Sequence, residues 1–319
     1  MMQPWDRSTW ETLISSEKKE RLTELLPLLP VPFENLHMQI FEQFGRRLET
    51  GVVSYEGREF VFVPGESVEV GWEYPKEKNS DKTDILSRLE KSLQEDLLFS
   101  PQEAKIELQQ HMSPVRQIQR LPMFIEREPF SVGWIPYEIE DLHPEDDKDL
   151  IDEIEKFSQS TDQSLEVDQS FKLERNDDGI RLFIFDDSET FEEWQSIHME
   201  EGFSLLNEEE WESVYSAGAD ALFPWGNDIE HFLPQRPPII QNGLGLIFSV
   251  DPYLKELTST AEEFTGKGGD GGAYLHGGFA KELAYLSTAT AFRDREEHEL
   301  DWCEWIGAFL YRRVVRIPV

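Results

Sequence analysis

The segment that most constrains how this chain folds runs from Phe203 to Asn227. It reads Phe203-Ser-Leu-Leu-Asn-Glu-Glu-Glu-Trp211-Glu and, after a short linker, Phe223-Pro-Trp-Gly-Asn227. Asn207 followed by three glutamates is a helix start. The amide side chain satisfies a free backbone N–H, and acids in the first turn oppose the helix dipole. Trp211 and Val214 then fall on the inward face at helical spacing. Pro224-Trp225-Gly226-Asn227 follows after the linker. At 319 residues the chain can bury such rings, as one large domain or two ordinary ones.

Aromatic residues make up 12% of the sequence, with nine Trp and 21 Phe, a load that a disordered chain does not carry. The 65 acidic residues against 30 basic ones leave a formal net charge of −35. Such a surface repels nucleic-acid phosphates and anionic membranes, so direct binding to either is not expected. The charge reads as a device for solubility, or for a salty or alkaline habitat. It reads equally as an acidic face that docks a basic partner or mimics nucleic acid. Cys303 is the only cysteine, which rules out an intramolecular disulfide and a Cys-based zinc site. We expect it to be a small buried apolar group. The opening Met1-Met-Gln-Pro-Trp-Asp lacks a basic region followed by an apolar run, and no stretch approaches ~18 apolar residues. A cytoplasmic protein is the expectation.

Along the chain, residues 9–28 read as one amphipathic helix carrying Leu13, Ile14, Leu22, Leu25, Leu26 and Leu28, broken by Pro30 and Pro32. A second helix is expected from Phe33 to Leu48, with Leu36, Ile40, Phe41, Phe44 and Leu48 along one face. Residues 1–50 then form an N-terminal helical extension and 51–319 the main domain. Gly51 opens a β-rich region in which Val52–Tyr55 and Glu59–Val63 flank a Glu56-Gly57 turn. A polar helix over about 84–110 reads as an insertion, spanning about 76–112 in all. Residues 138–170 are densely acidic and read as a solvated loop with a short helix, part of a second insertion over about 138–178. Arg181–Phe185 reads as a short buried strand. Asp187-Ser188 is expected to cap a helix over 189–199 that turns Phe191 and Trp194 inward.

These landmarks resemble the formylglycine-generating (sulfatase-modifying factor) family. The Trp211 helix and the Pro224-Trp-Gly-Asn stretch are similar to its R-L-P-T-E-A-E-W-E and Y-P-W-G. Phe60–Gly71 resembles its opening strand pair, and Pro114–Ile125 the next strand. Gly243–Leu257 is similar to G-L-x-D-M-x-G-N-V-W-E-W, with Asp251-Pro252 in place of the central Gly-Asn. Gly271-Gly-Ala-Tyr274, Ala289–Asp294 and Ile306–Arg316 resemble the closing landmarks. The resemblance covers about residues 58–317, with two interruptions. It implies an α+β, C-type-lectin-like fold of the formylglycine-generating-enzyme type, irregular and low in regular secondary structure.

The family's chemistry is not expected to follow. Its copper(I) sits on two cysteines shortly after the G-G-S-Y landmark, and soft thiolate suits that ion. The matching Leu275–Tyr285 has none, and His276 falls near where the first thiolate would be. Related sulfoxide synthases hold iron on three histidines, partly from added helices. Here only His37 lies in the N-terminal helices, and no H-x-x-x-H-x-E occurs. The resemblance leaves Asp251 and Glu256 as a remnant of a calcium site, beside the plainer reading of a surface Asp and a helix-face Glu. Gly266–Gly272 is neither a P-loop nor a dinucleotide fingerprint and reads as a flexible loop. No G-x-S-x-G elbow occurs.

A non-catalytic protein that binds a ligand or another protein is therefore expected. Its binding face lies where the family's active site does, near Tyr274, His276, Phe279, Tyr285 and Arg293. One alternative is a metal-dependent oxidoreductase with non-cysteine ligands, using His276 with acidic residues. Another is an acidic inhibitor or mimic docking a basic partner.

Overall fold

The N-terminal stretch reads as one helix and folds as two, α1 (Arg7–Trp10) and α2 (Ser15–Leu25), followed by a 3-10 turn at Leu26–Leu28. The second helix starts afresh because Glu17 reaches back to accept the Ile14 amide at 3.0 Å. The computed structural model describes residues 4–75, 80–167, 169–176, 179–200, 202–219, 221–227, 239–259, 264–278, 281–295 and 301–318.

The helix expected over 33–48 is instead a hairpin of two strands, β1 (Glu34–Gln43) and β2 (Arg46–Tyr55). Leu36, Ile40 and Phe44 satisfy a helical period, but Leu36, Met38 and Ile40 also alternate, and pattern alone cannot separate the two. Pairing decides. Phe44 and Gly45 both take positive φ (50° and 73°), a turn that matches strand twist and places Gln43 opposite Arg46. Helix α2 then lies directly on β2 at Gly51, where a Cβ would fall 2.2 Å from Leu22 Cδ1.

The second hairpin follows the sequence reading. β3 (Arg58–Val63) pairs with β2 around Glu56-Gly57, again with positive φ at both positions. Next come β4 (Glu66–Val70), α3 (Ser80–Asp96), α4 (Pro101–Gln110), β5 (Arg116–Arg120), β6 (Met123–Glu126) and β7 (Phe130–Ser131). The single helix expected over 84–110 divides because Ser100 caps α4 and Pro101 occupies its first turn. The chain continues through β8 (Trp134–Tyr137), α5 (Lys148–Gln159), β9 (Ser164–Val167), β10 (Phe171–Asn176), β11 (Gly179–Phe185) and α6 (Phe191–His198). It ends with α7 (Glu208–Ser216), β12 (Ile239–Gln241), β13 (Ile247–Ser249), β14 (Lys255–Ser259), β15 (Phe264–Lys267), α8 (Ala273–His276), α9 (Lys281–Ala284), α10 (Trp302–Trp305), β16 (Phe309–Tyr311) and β17 (Val314–Arg316). This is a mixed α+β protein with several separate sheets.

Two units divide the chain. The first contains residues 1–130, 196–299 and 310–319. Its main sheet is antiparallel with strand order β1-β2-β3-β6-β17, and β4 pairs with β5 separately. Phe41, Phe60, Phe62, Phe124, Trp10 and Trp211 fill its core. Buried Trp10 keeps its indole satisfied by donating to Glu49 O at 2.9 Å. The last strand is tied down by charge. Arg312 donates to Glu256 (Nη2–Oε2 2.9 Å), Arg313 to Glu126 (Nη2–Oε1 3.0 Å) and Arg316 to Glu210 (Nε–Oε1 2.9 Å).

The second unit contains residues 131–195 and 300–309. Its sheet runs β8-β11-β10-β9, and Ile154 and Phe157 of α5 meet Phe171, Leu173 and Leu182 in a small core. Strand β11 is less buried than expected, with only Leu182 fully enclosed. The α6 start is capped by Thr190, which accepts the Glu193 amide at 3.1 Å, and not by Asp187-Ser188. Trp194 packs at a tilt against Trp302 (ring centroids 5.9 Å apart), whose indole donates to Ser188 O at 3.1 Å. Cys303 is exposed, against the expectation of burial. It is the second residue of a four-residue helix in which the neighbouring Trp302 takes the inward position. Among the described residues no helix is long and apolar enough to cross a membrane.

Candidate ligand-binding cleft

Helix α7 begins as its sequence dictates: Asn207 Oδ1 accepts the Glu210 amide at 2.8 Å, and Glu210 reaches back to the Asn207 amide at 3.0 Å. This fixes the helix phase, so Trp211, Val214 and Tyr215 enter the core while Glu212 and Ser216 face an open cleft. The helix ends with Ala217 and Gly218 in left-handed conformation. The turn at Phe223–Asn227 closes the far side. Asn227 Oδ1 accepts the Leu222 amide at 3.1 Å, and the Phe223 and Trp225 rings stack 4.7 Å apart. The opposite wall is β4, held in register by β5, and α3 contributes Ile85 and Leu86.

The enclosed volume is about 370 Å³, within the usual range for small-molecule sites. Val68, Val70, Trp72, Ile85, Leu86 and Leu222 supply apolar wall. Arg46, Glu66, Glu69 and Glu212 supply charge. A second, more open cleft of about 650 Å³ adjoins it, lined by Asp6–Ser8, Glu11, Gly45–Arg47 and Gly65–Ser67, and the two share Arg46, Glu66 and Ser67.

The carboxylates of this lining are engaged. Glu66 is met by Arg7, Arg46 and Arg120, each at 3.4 Å. Glu212, 2% exposed, accepts from Lys267 Nζ at 2.9 Å and Ser113 Oγ at 2.9 Å. Glu69 accepts from Gln117 at 3.2 Å. Burial lowers the Arg120 guanidinium to about 10, against the pull of Glu66 and with Arg7 and Arg46 adding repulsion. Behind Glu212, Lys267 also meets Glu208 at 3.2 Å, and Arg293 clamps Glu208 through Nε and Nη2, both at 2.6 Å. Although burial opposes its charge, these partners pull the Glu208 carboxyl down to about 2.

The residues expected from sequence sit elsewhere. Tyr274, half-buried on α8, donates or accepts at His111 Nε2 (3.0 Å), which also lies 3.0 Å from Glu107 Oε1. Burial, then the Glu107 charge, raises its phenol. The Arg293 amide donates to His111 O at 2.8 Å, so Tyr274 and Arg293 meet at one histidine that sequence reasoning passed over. Tyr285 is buried and its phenol raised by that burial. None of the three lines the cleft. The His276 side chain and Phe279 lie outside the described residues.

Glu256 is not placed as a calcium ligand. Both of its oxygens accept from Arg312, 1% exposed, so a cation would have to displace the guanidinium. Asp251 Oδ1 accepts the Tyr253 amide at 3.0 Å. Among the described residues no group of three or more His, Cys, Asp or Glu could hold a metal ion. The glycine-rich 266–270 stretch is buried, not a solvated loop, because Gly268 packs on Trp211 and a Cβ at Gly269 would fall 2.2 Å from Leu254 O.

Cleft residues Arg46, Ile85 and Leu86 carried no motif, and only the pairing of distant elements brings them together with Val70. The chain matches no family model, no curated protein and no solved structure.

Proposed function

We propose that this chain is a non-catalytic binding protein, a divergent relative of the formylglycine-generating family on its C-type-lectin-like fold, that holds a small ligand in the cleft beside α7. The cleft carries the reading. It is large enough for a small molecule, walled by apolar side chains, and its acidic groups are already committed to protein partners. Those commitments support binding over acid–base chemistry, since a general acid or base must be free to exchange a proton with a substrate. The arrangement of several small sheets with short helices supports the family's irregular fold. The capped α7 with Trp211 in the core and the Pro224-Trp-Gly turn support it further.

Ligand-observed NMR on a fragment library tests the reading. Fragments should bind the native chain, and Ser67→Trp, an exposed position on the cleft rim, should abolish that binding. Fragments that bind the two proteins equally would remove the cleft as the site.

A basic protein partner is the second reading, favoured by the charge of the second unit. More than half of the net −35 falls there, and Asp146, Asp147, Asp149, Asp152 and Glu153 line one groove with Phe171 and Ile184. Salt-sensitive binding to a lysine-rich polypeptide, lost on neutralising those five acids, is the expected result.

A further inference from the structure

We infer that the cleft takes a small organic acid, its carboxylate or phosphate seated on Arg46 and its apolar body against Val70, Ile85, Leu86 and Leu222. This rests on the cleft being the binding site. The argument begins with which lining groups still have something to offer a ligand.

Arg46 is the one cation among the described lining residues. Two of its N–H groups have protein acceptors, Nη1 donating to Ala217 O at 3.1 Å and Nη2 to Glu66 at 3.4 Å. A guanidinium has five donors, so three remain for a ligand, and its side chain is 40% exposed. By contrast, Glu66 and Glu212 are surrounded by cations and donors from behind the wall. At the end of the cleft where Arg46 and Glu66 meet, the unspent groups are therefore the Arg46 donors, while the exposed Glu69, bonded to Gln117 at 3.2 Å, keeps acceptor capacity farther along β4. Planar donors of this kind match a carboxylate or phosphate edge-on.

The position of Arg46 is built in. It lies against the C-terminal end of α7, where the carbonyls carry partial negative charge and hold a cation. Gly218, at φ +74°, leaves the room: a Cβ there would fall 1.2 Å from Arg46 Nη1. A glycine at the helix end thus serves two purposes, turning the chain and admitting the guanidinium. Glu66 is shared among three guanidiniums, with Arg7 and Arg120 approaching it from outside the cleft lining, so Arg46 is not bound to it alone.

The test uses four probes of one shape on the full chain: 4-methylpentanoate, 3-methylbutyl phosphate, 4-methylpentanamide and 3-methylbutylamine. Affinities come from methyl-detected NMR titration, with Val70 and Leu222 as the reporting groups. The carboxylate or the phosphate should bind, and which is tighter identifies the acid. Arg46→Gln should weaken the bound acid by about ten- to a hundredfold, the usual worth of a charge-assisted hydrogen bond. Folding should survive this change because Glu66 keeps Arg7 and Arg120. The amide binding as well as the acid, the amine binding best, or Arg46→Gln binding the acid unchanged would each overturn the assignment while leaving a cleft that binds. Failure of all four probes in the native chain, with Ser67→Trp indistinguishable from it, would overturn the cleft itself.

Discussion

Arg312→Met isolates the interaction on which the closing strand most depends. Arg312 is 1% exposed and donates to both oxygens of Glu256 and to the carbonyls of Glu126 (3.1 Å), Arg127 (3.3 Å) and Ile247 (2.9 Å). Methionine keeps an apolar stem but removes all of these donors, along with the guanidinium that lies 4.1 Å from the Phe248 ring centroid. Glu256, 5% exposed, is then a buried charge without its cation, and three carbonyls lose their partner. Removing one member of a buried pair costs about 3–5 kcal/mol. The orphaned carbonyls place this case toward the top of that range.

With a urea m-value of about 3 kcal/mol/M, the unfolding midpoint should fall by about 1.3–1.7 M. Glu256→Gln keeps an acceptor for Arg312 and should cost about half as much. The double change Arg312→Met with Glu256→Leu removes the stranded charge and should recover about 2 kcal/mol relative to additivity. Far-UV circular dichroism reads the midpoints, and hydrogen exchange at Val314–Arg316 reads the strand itself. A loss under about 1 kcal/mol for Arg312→Met, or strictly additive costs in the double variant, would refute the reasoning.

Other consequences follow from the same structure. The Glu208 carboxyl is depressed to about 2 against an ordinary ~4.3, so it contributes stability that is complete above the unfolded value and is lost as pH falls from about 4.5 to 2. Glu208→Gln should therefore cost about 2 kcal/mol at pH 7 and close the gap with the native chain near pH 2–3; an equal gap at pH 7 and pH 3 in urea midpoints would contradict this. Gly51→Ala should cost about 1–3 kcal/mol by driving a methyl into Leu22, and adding Leu22→Ala should cost less than the sum, as thermal melts would show. Exposed Cys303 should react with a maleimide at one equivalent in the folded state within minutes, whereas labelling only in denaturant would contradict its placement.

Local signals guided some elements and not others: the Asp187-Ser188 cap and the undivided helices over 9–28 and 84–110 do not form, because Thr190, Glu17 and Ser100 supply caps at other positions. The Asn207 cap, the inward Trp211 and Val214 and the hairpin at Glu56-Gly57 rest on local hydrogen bonds and backbone preferences. The stretch from Glu34 to Leu48 was ambiguous in itself, because leucine-type residues satisfied two periods at once. Only the partner strand chose between them. Cys303, expected to be buried, is exposed, and the glycine-rich run expected as a flexible loop is buried over 266–270, since composition sets how polar a segment is and packing sets which side of it meets solvent.

The candidate site divides along the same line. Tyr274 and Arg293 were legible as residues near a site, yet both are engaged at His111 and Glu208, and neither reaches the cleft. What the sequence determined by itself is the set of local elements: a capped helix with a tryptophan inward, a Pro-Trp-Gly stretch after it, and a strongly acidic surface. What only the tertiary structure decided is which distant charges became partners. Arg46 and Gly218 lie 171 residues or more from each other along the chain, as the hydrogen bond from Arg46 to neighbouring Ala217 spans that separation. No local rule couples residues so far apart. Their meeting depends on β1 and β2 pairing while α7 packs on β4 and β5, and the cleft exists only where those long-range contacts coincide.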